Sequence, residues 1–341
     1  MPWYLVFCLL CFPLAGCKNN PSHPAITEIT GNAMTIDFKV MIGSDLNEIR
    51  KSEVLQTIVS TFEEVDRLYN KWNPCSEISY LNSLEGGKVV SISPEMEAFL
   101  NLAKSMTELS EGKFDVTIEP VQTLWKETLR QGKEPSDEEL KQLALSSGWD
   151  KIHFGHGIFR KDHTLTQLDL GGIAKGHCVD LLVERLAKLG FLNVYAEWGG
   201  EVRAKGHHPH KRAWKVYVSN FEDTLPQHAL AYMDLNDQAL ATSGDYLQNW
   251  KIIDKETGRV KTYFHIFDPT TLRPLESTPE SIGMVSVLAP NCALADSLAT
   301  AAMMFSITEE REAWQRKVLA KYPTVKFWQW SRNETGKGVK V

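Results

Sequence analysis

Four short stretches of this chain combine residue types that can hold phosphate, bind a cation or move a proton. The first is Asp169-Leu170-Gly171-Gly172-Ile173-Ala174-Lys175-Gly176, which reads as a strand end running through a glycine turn into a helix. Adjacent glycines let backbone groups approach a ligand closely, and a helix N-terminus attracts phosphate. It is not a Walker A loop, because Lys175 precedes Gly176 and no Ser or Thr follows to hold magnesium. A plain strand–turn–helix joint with a solvated lysine would read the same way. The second stretch is an apolar helical run over 293–305, in which Asp296 and Thr300 stand four apart and share one face. A carboxylate on a core-like helix is costly unless paired, and hard oxygen ligands suit magnesium. Asp296 could instead cap a helix or pair with a neighbour. The third, His265-Ile266-Phe267-Asp268-Pro269-Thr270, offers a general base at a strand end. Asp268 either orients that histidine or opens the turn with its side chain. The fourth pairs Glu197-Trp198-Gly199-Gly200-Glu201 with Ala241-Thr242-Ser243-Gly244-Asp245-Tyr246, where glycines permit a positive φ or close approach to a ring, or simply make turns.

Apolar spacing predicts the elements that must position these residues. Alternation over 34–42 predicts a half-buried strand, and three- and four-residue steps over 46–69 predict a long amphipathic helix stopped by Asn73-Pro74. Ser93 and Pro94 suit the cap and first position of a second helix. Helical spacing returns near 116–130 and 137–147, short strands follow at 151–154, 158–160 and 164–170, and a helix over 176–189 ends at Gly190. Strand-like runs then dominate (192–198, 213–219, 229–235, 247–253, 263–267 and 282–288) before helices at 291–306 and 309–321 and a strand at 326–330. Helices and strands are grouped rather than alternating, which predicts an α+β fold of mixed sheets with packed helices and not a doubly wound parallel sheet.

The bulk composition is that of a globular chain: 341 residues, 43% hydrophobic and 23% charged, with a net charge of −6 and no basic block. A nucleic-acid partner is therefore excluded as an expectation. Residues 3–16 are almost wholly apolar, too few to span a bilayer, and end at Leu14-Ala15-Gly16-Cys17. They resemble a bacterial lipoprotein signal, with Cys17 as the lipidated residue; a simple secretory signal or an uncleaved anchor is the alternative. The expected organisation is a signal over 1–16, a tether over 17–30, one domain over 31–332 and a polar tail over 333–341. Cys75, Cys178 and Cys292 are far apart and odd in number, so no disulfide framework is read from them.

Taken in order, the motifs resemble the ApbE family, the FAD:protein FMN transferases once described as thiamine-biosynthesis lipoproteins. The likeness runs from Met34 and Trp72, with Ser76-Glu77-Ile78-Ser79 and Leu81-Asn82, to Lys113-Phe114-Asp115-Val116-Thr117 with Pro120 and Trp125. It continues through the stretch at 169–176 with Asp180, the Gly-Gly-Glu at 199–201, and the runs at 241–246, 265–269 and 295–300. The resemblance implies a T-fold-related domain and transfer of FMN from FAD to a protein threonine, with AMP released. It further implies that Met34, Trp72, Lys113, Phe114 and Asp115 enclose the two ends of FAD, that Asp169 and Lys175 flank the pyrophosphate, and that Phe267 contacts the flavin. The Gly172 carbonyl, Asp296, Thr300 and the Ala299 position would form a magnesium site, and His265, with Lys175 and Asp169, would carry the catalysis. The implied partners are FAD, an acceptor flavoprotein such as a subunit of a sodium-pumping NADH:quinone reductase, and a membrane held through lipid on Cys17, which would place the protein on the periplasmic side of the inner membrane. Two positions depart from the family pattern: Trp72 stands where tyrosine is common, and Thr271-Leu272-Arg273 replaces a Thr-Gly turn. A metal-dependent FAD pyrophosphatase and a non-catalytic flavin-binding lipoprotein remain as alternatives.

Overall fold

A hairpin of β1 (Thr27–Ala33) and β2 (Ile36–Ile42) opens the fold. A computed structural model describes residues 25–221, 225–245, 249–254, 257–278, 281–305, 308–332 and 338–340. The expected signal over 1–16, Cys17, the tether as far as 24, and Tyr246 lie outside the described residues. The expected strand over 34–42 is corrected at its start, because Met34 and Thr35 form a two-residue turn with φ of 50° and 67°. Period-two alternation does not register such a turn when neither residue is Gly, Asn or Asp. Strand β1 also begins inside the stretch expected to be tether, since its ladder with β2 pairs Thr27 with Ile42.

Helix α1 (Glu48–Tyr69) follows, capped by the Asn47 side chain, which accepts from the Arg50 N–H at 2.9 Å. Its buried stripe, Val54, Ile58, Phe62, Val65 and Leu68, follows the helical period. Next come α2 (Glu77–Ser83), β3 (Val89–Ser91), α3 (Pro94–Leu109) with Ser93 as its cap, α4 (Glu119–Arg130), α5 (Asp137–Ala144), β4 (Ile152–Gly155) and β5 (Ile158–Lys161). The strand expected over 164–170 does not form. Lys161, wholly buried, donates to the carbonyls of Asn82, Thr164 and Thr166 at 2.7, 3.0 and 2.7 Å, so this stretch wraps an ammonium instead of joining a ladder. The Asn82 amide then takes both backbone groups of Leu168, at 2.7 and 2.9 Å, and sets the approach to Asp169.

Helix α6 (Gly171–Lys188) starts five residues earlier than the expected 176, because the Leu170 carbonyl already accepts from Ile173 and Ala174. After β6 (Val194–Trp198), β7 (Glu201–Lys205), β8 (Trp214–Val218), β9 (Ala231–Leu235), β10 (Gln238–Gly244), β11 (Asn249–Ile253), β12 (Val260–Asp268), β13 (Arg273–Glu276) and β14 (Met284–Ala289), the chain forms α7 (Cys292–Ala302) and α8 (Thr308–Lys321). It ends with β15 (Lys326–Arg332) and β16 (Gly338–Lys340). The last of these falls within the stretch expected as a tail over 333–341, and its backbone pairs with β15.

The main sheet has eight strands in the order β1-β2-β6-β7-β10-β14-β15-β16, and every neighbouring pair is antiparallel. Helices α6 and α7 pack on one face against β6, β7, β10 and β14, with α1 and α3 behind them. The β8–β9 pair closes the other face over Trp214 and Leu235. A small sheet of β11, β12 and β13 packs on α4 through Val121, Trp125 and Phe267. Segregated helices on an antiparallel sheet make this an α+β fold, as the grouping of elements predicted. No helix among the described residues is long and apolar enough to cross a membrane.

Candidate active site

Two helices meet at the centre of the site, and they meet unusually closely. A Cβ on Gly176 of α6 would lie 2.4 Å from the Cys292 carbonyl oxygen at the start of α7, so only glycine fits there. Carboxylates stitch the contact in both directions. Asp180 of α6 accepts from the Cys292 and Ala293 N–H groups at 2.8 and 2.9 Å, adding to the Asn291 cap of α7. Asp296 of α7 accepts from the Gly176 N–H at 3.1 Å. In a regular helix that N–H serves the carbonyl four residues back, Gly172, so Asp296 competes for the donor and eases the demand on that carbonyl.

The glycine turn expected at 171–172 is therefore the first turn of a helix, with neither residue at positive φ. The glycines serve close packing. A Cβ on Gly172 would sit 3.0 Å from the Phe114 ring and 3.3 Å from the Thr300 hydroxyl. Thr300, in turn, shares a hydrogen bond of 3.2 Å with Ser243 on β10. The Gly172 backbone, the Thr300 hydroxyl and the Asp296 carboxylate thus border one cleft of ≈ 360 Å³. Burial raises the Asp296 carboxyl above the usual range, although Lys175 and the Gly176 N–H pull it back. All three are oxygen donors, the set a hard divalent cation takes, and the missing side chain at 172 leaves them room.

Lys175, one turn into α6, donates to Glu201 at the start of β7. Burial would lower its pKa, but the Glu201 and Asp296 carboxylates outweigh that and hold it protonated, above the ordinary lysine range. Asp169 takes the Gly171 N–H at 2.8 Å and the Lys71 ammonium at 3.0 Å, and Lys71 also bonds Glu119 at 2.6 Å. Burial opposes ionisation of Asp169, but Lys71 and the Gly171 N–H prevail and keep it below the usual carboxylate range. Asp115 caps a short turn through the Thr117 N–H, and burial lifts its pKa.

His265 enters from β12 where the strand is irregular. Between Tyr263 and Phe267 that strand advances four residues, while β13 advances only from Glu276 to Pro274. Such irregularities re-aim side chains beside functional sites. The choice left open for Asp268 falls to the turn: its carboxylate accepts from the Thr270 N–H at 2.8 Å and pairs with Lys113 at 3.2 Å. Leu272, the residue in place of the turn glycine, adopts φ 57° and gives its carbonyl to the Trp125 indole at 2.8 Å.

Of the residues singled out in the sequence, Asp169, Gly172, Lys175, Asp296, Thr300 and His265 line this one cleft. Trp72, 80% exposed, lines it too, as do Lys113, Asp115 and the largely buried Phe114 and Phe267. Two do not line it. Met34 sits in the strained β1–β2 turn, and Ala299 is wholly buried in the core. Sequence reasoning missed Lys71, Gln122 and Lys126, which line the cleft, and Glu119, which pairs with Lys71. Glu119, Gln122 and Lys126 share one face of α4 at three- and four-residue steps, a spacing that reads as an ordinary solvated helix face, and Lys71 lies apart in the loop after α1. Cys178 and Cys292 are buried fillers and Cys75 is exposed.

The cleft thus offers a helix N-terminus, several lysines, an oxygen-rich pair on α7 and a histidine, a set that can hold a diphosphate and move a hydroxyl proton. A family model described as the ApbE family matches residues 31–322. A Chlamydia pneumoniae protein named FAD:protein FMN transferase is 34% identical over 308 residues, 90% of this chain and 92% of that protein. One of the same name from Chlamydia trachomatis is 37% identical over 298 residues, 87% of this chain and 90% of the relative. The solved flavin transferase ApbE from Vibrio cholerae is 25% identical, with 93% of this chain and 96% of that one covered at a TM-score of 0.72.

Proposed function

The chain belongs to the ApbE family, and on that footing we propose that it transfers FMN from FAD to a threonine hydroxyl of an acceptor flavoprotein, aided by magnesium. The observation that carries the reading is convergence: the start of α6, Lys175, Asp296, Thr300 and His265 border a single cleft. In the reaction, the threonine oxygen forms a bond to the FMN phosphorus. The bond from that phosphorus to the bridging oxygen breaks, and AMP leaves with the oxygen.

The side chains divide this work. The positive end of the α6 dipole attracts the diphosphate, and the Lys175 ammonium adds fixed positive charge beside it. Lys71, held by Glu119 and Asp169, places a further ammonium on the cleft lining. His265 accepts the proton of the attacking hydroxyl, which is a poor nucleophile until relieved of it. Trp72 and Phe267 offer rings against which the flat ends of FAD can lie. Asp296, Thr300 and the Gly172 carbonyl would hold magnesium, which supplies Lewis-acid charge for the leaving phosphate when bound. Lipid on Cys17 would keep the enzyme at a periplasmic membrane surface, where an acceptor such as a subunit of a sodium-pumping NADH:quinone reductase is within reach.

The test mixes purified protein, FAD, magnesium and an acceptor flavoprotein fragment, then looks for flavin fluorescence that survives denaturing electrophoresis. The reading predicts a fluorescent acceptor band that disappears with a chelator and when the acceptor threonine is replaced. No band, with an acceptor that a relative labels in parallel, rejects it. Free FMN and AMP formed at full rate without acceptor would mark a pyrophosphatase instead.

A further inference from the structure

Strand β7 sends two side chains toward α6, and they are differently employed. Arg203 reaches the buried Asp180 at 2.7 Å and the exposed Glu184 at 3.0 Å. Glu201, only 2% exposed, meets Lys175 through one oxygen. Its other oxygen, Oε2, is buried and has no hydrogen-bond partner among the described residues. A buried carboxylate oxygen left unsatisfied is costly, and it persists where the surroundings demand it for another reason.

The surroundings here are built for it. Trp198 pairs directly with Glu201, so Gly199 and Gly200 form a two-residue hairpin turn, both at positive φ (62° and 99°). That turn fixes which way Glu201 points, since a one-residue slip would send it to the opposite face. Gly199 also leaves space: a Cβ there would lie 3.6 Å from the Lys175 Cδ, 3.6 Å from the Glu201 Oε2 and 2.9 Å from Ile36. Turn, carboxylate and lysine stem are one packed unit, of which Glu201 and Lys175 border the cleft.

We propose that Glu201 is a positioning residue for the transfer, holding the Lys175 ammonium at a fixed point on the cleft wall instead of letting it close onto the diphosphate of bound FAD. The proposal rests on the FMN-transfer reading. An ammonium free to follow its substrate binds ground state and transition state alike, which strengthens binding without speeding the chemistry. An ammonium tethered by a buried counter-ion stays where charge accumulates as AMP departs, and costs no reorganisation at that moment. Burial pushes the Glu201 carboxyl up to about 7 although Lys175 pulls it back, and in its ionised form it also weakens ground-state affinity for an anionic substrate.

The experiment is a double-mutant cycle of Glu201→Gln and Lys175→Met, with Glu201→Asp alongside. FAD affinity is read from flavin fluorescence, single-turnover transfer from covalent flavin on the acceptor, and folding from thermal unfolding. Glu201→Gln should tighten FAD binding by about threefold or more while slowing transfer by about tenfold or more. In the Lys175→Met background the same change should slow transfer no further, and Glu201→Asp should recover most of the rate. An equal slowing in both backgrounds overturns the proposal, as does weaker FAD binding by folded Glu201→Gln. If the wild type binds FAD but labels no acceptor, the transfer reading falls, and the affinity comparison still decides whether Glu201 restrains Lys175.

Discussion

Replacing Gly176 by alanine sets two effects of opposite sign against each other. Gly→Ala inside a helix normally stabilises by about 1 kcal/mol, because alanine loses less backbone entropy. At this position the new Cβ would fall 2.4 Å from the Cys292 oxygen, 2.7 Å from its carbon and 2.9 Å from the Ala293 nitrogen, where ordinary contact begins at 3.4 Å. All three atoms are backbone, so relief requires α6 and α7 to separate by about 1 Å, an overpacking strain of about 1–3 kcal/mol. The same separation stretches the bonds from Asp180 to Cys292 and Ala293 and from Asp296 to Gly176, now 2.8, 2.9 and 3.1 Å, each worth about 1.5–3 kcal/mol. Partial loss of these contacts outweighs the propensity gain, and the expected net change is a destabilisation of about 3 kcal/mol. Because Asp296 moves with α7, transfer should fall by about a hundredfold even in the folded fraction. Urea unfolding followed by tryptophan fluorescence gives the first number, and covalent flavin formation below the transition gives the second. A Gly176→Ala protein that is stabilised by about 1 kcal/mol and fully active would refute the close helix contact and the site geometry built on it.

Other consequences are simpler. Thr35 is exposed and β-branched at φ 67°, so Thr35→Gly should stabilise by about 0.5–1 kcal/mol in urea unfolding; a loss of that size would deny the strained turn. His177 packs on the Phe99 ring at 4.6 Å, and burial lowers its pKa to about 4 from the ordinary 6.5. The unfolded chain therefore binds this proton at a higher pH than the folded one, so stability is full above pH 6.5 and drains away toward pH 4, by about 3 kcal/mol at most. His177→Gln should flatten that part of the pH–stability profile, and an unchanged slope would remove His177 as its source. Lys161→Met strands the three carbonyls of Asn82, Thr164 and Thr166 and should cost about 3 kcal/mol in thermal or urea unfolding, with a neutral outcome arguing against the ammonium knot.

The sequence was most legible where local rules act alone. The stripe of α1, the Ser93 cap of α3 and the strands β6, β8, β9 and β14 follow from spacing and capping, and the structure bears them out, whereas β7, β10 and β13 are not read as strands. It was least legible where distant side chains take over backbone groups. No local pattern shows that Lys161 and Asn82 will occupy the backbone of 164–168, so that stretch reads as a strand and is a wrap. Gly172 likewise reads as part of a turn, because the ring of Phe114 and the hydroxyl of Thr300, which crowd a side chain out of the helix there, lie far along the chain. The cleft itself was visible only through motif order: His265, Lys175 and Asp296 carry no common period, and strand β12 with helices α6 and α7 brings them to one cleft. Lys71 and Glu201 show the remaining limit, since an ion-pair partner 26 or more positions away leaves no trace in composition.

The product balance in a single vessel tests the central claim most directly. With FAD, magnesium and acceptor present, AMP released and FMN bound covalently to the acceptor should rise together in a one-to-one ratio, and both should fall to background in Asp296→Ala. AMP accompanied by free FMN, or an Asp296→Ala protein that labels at the wild-type rate, would contradict it.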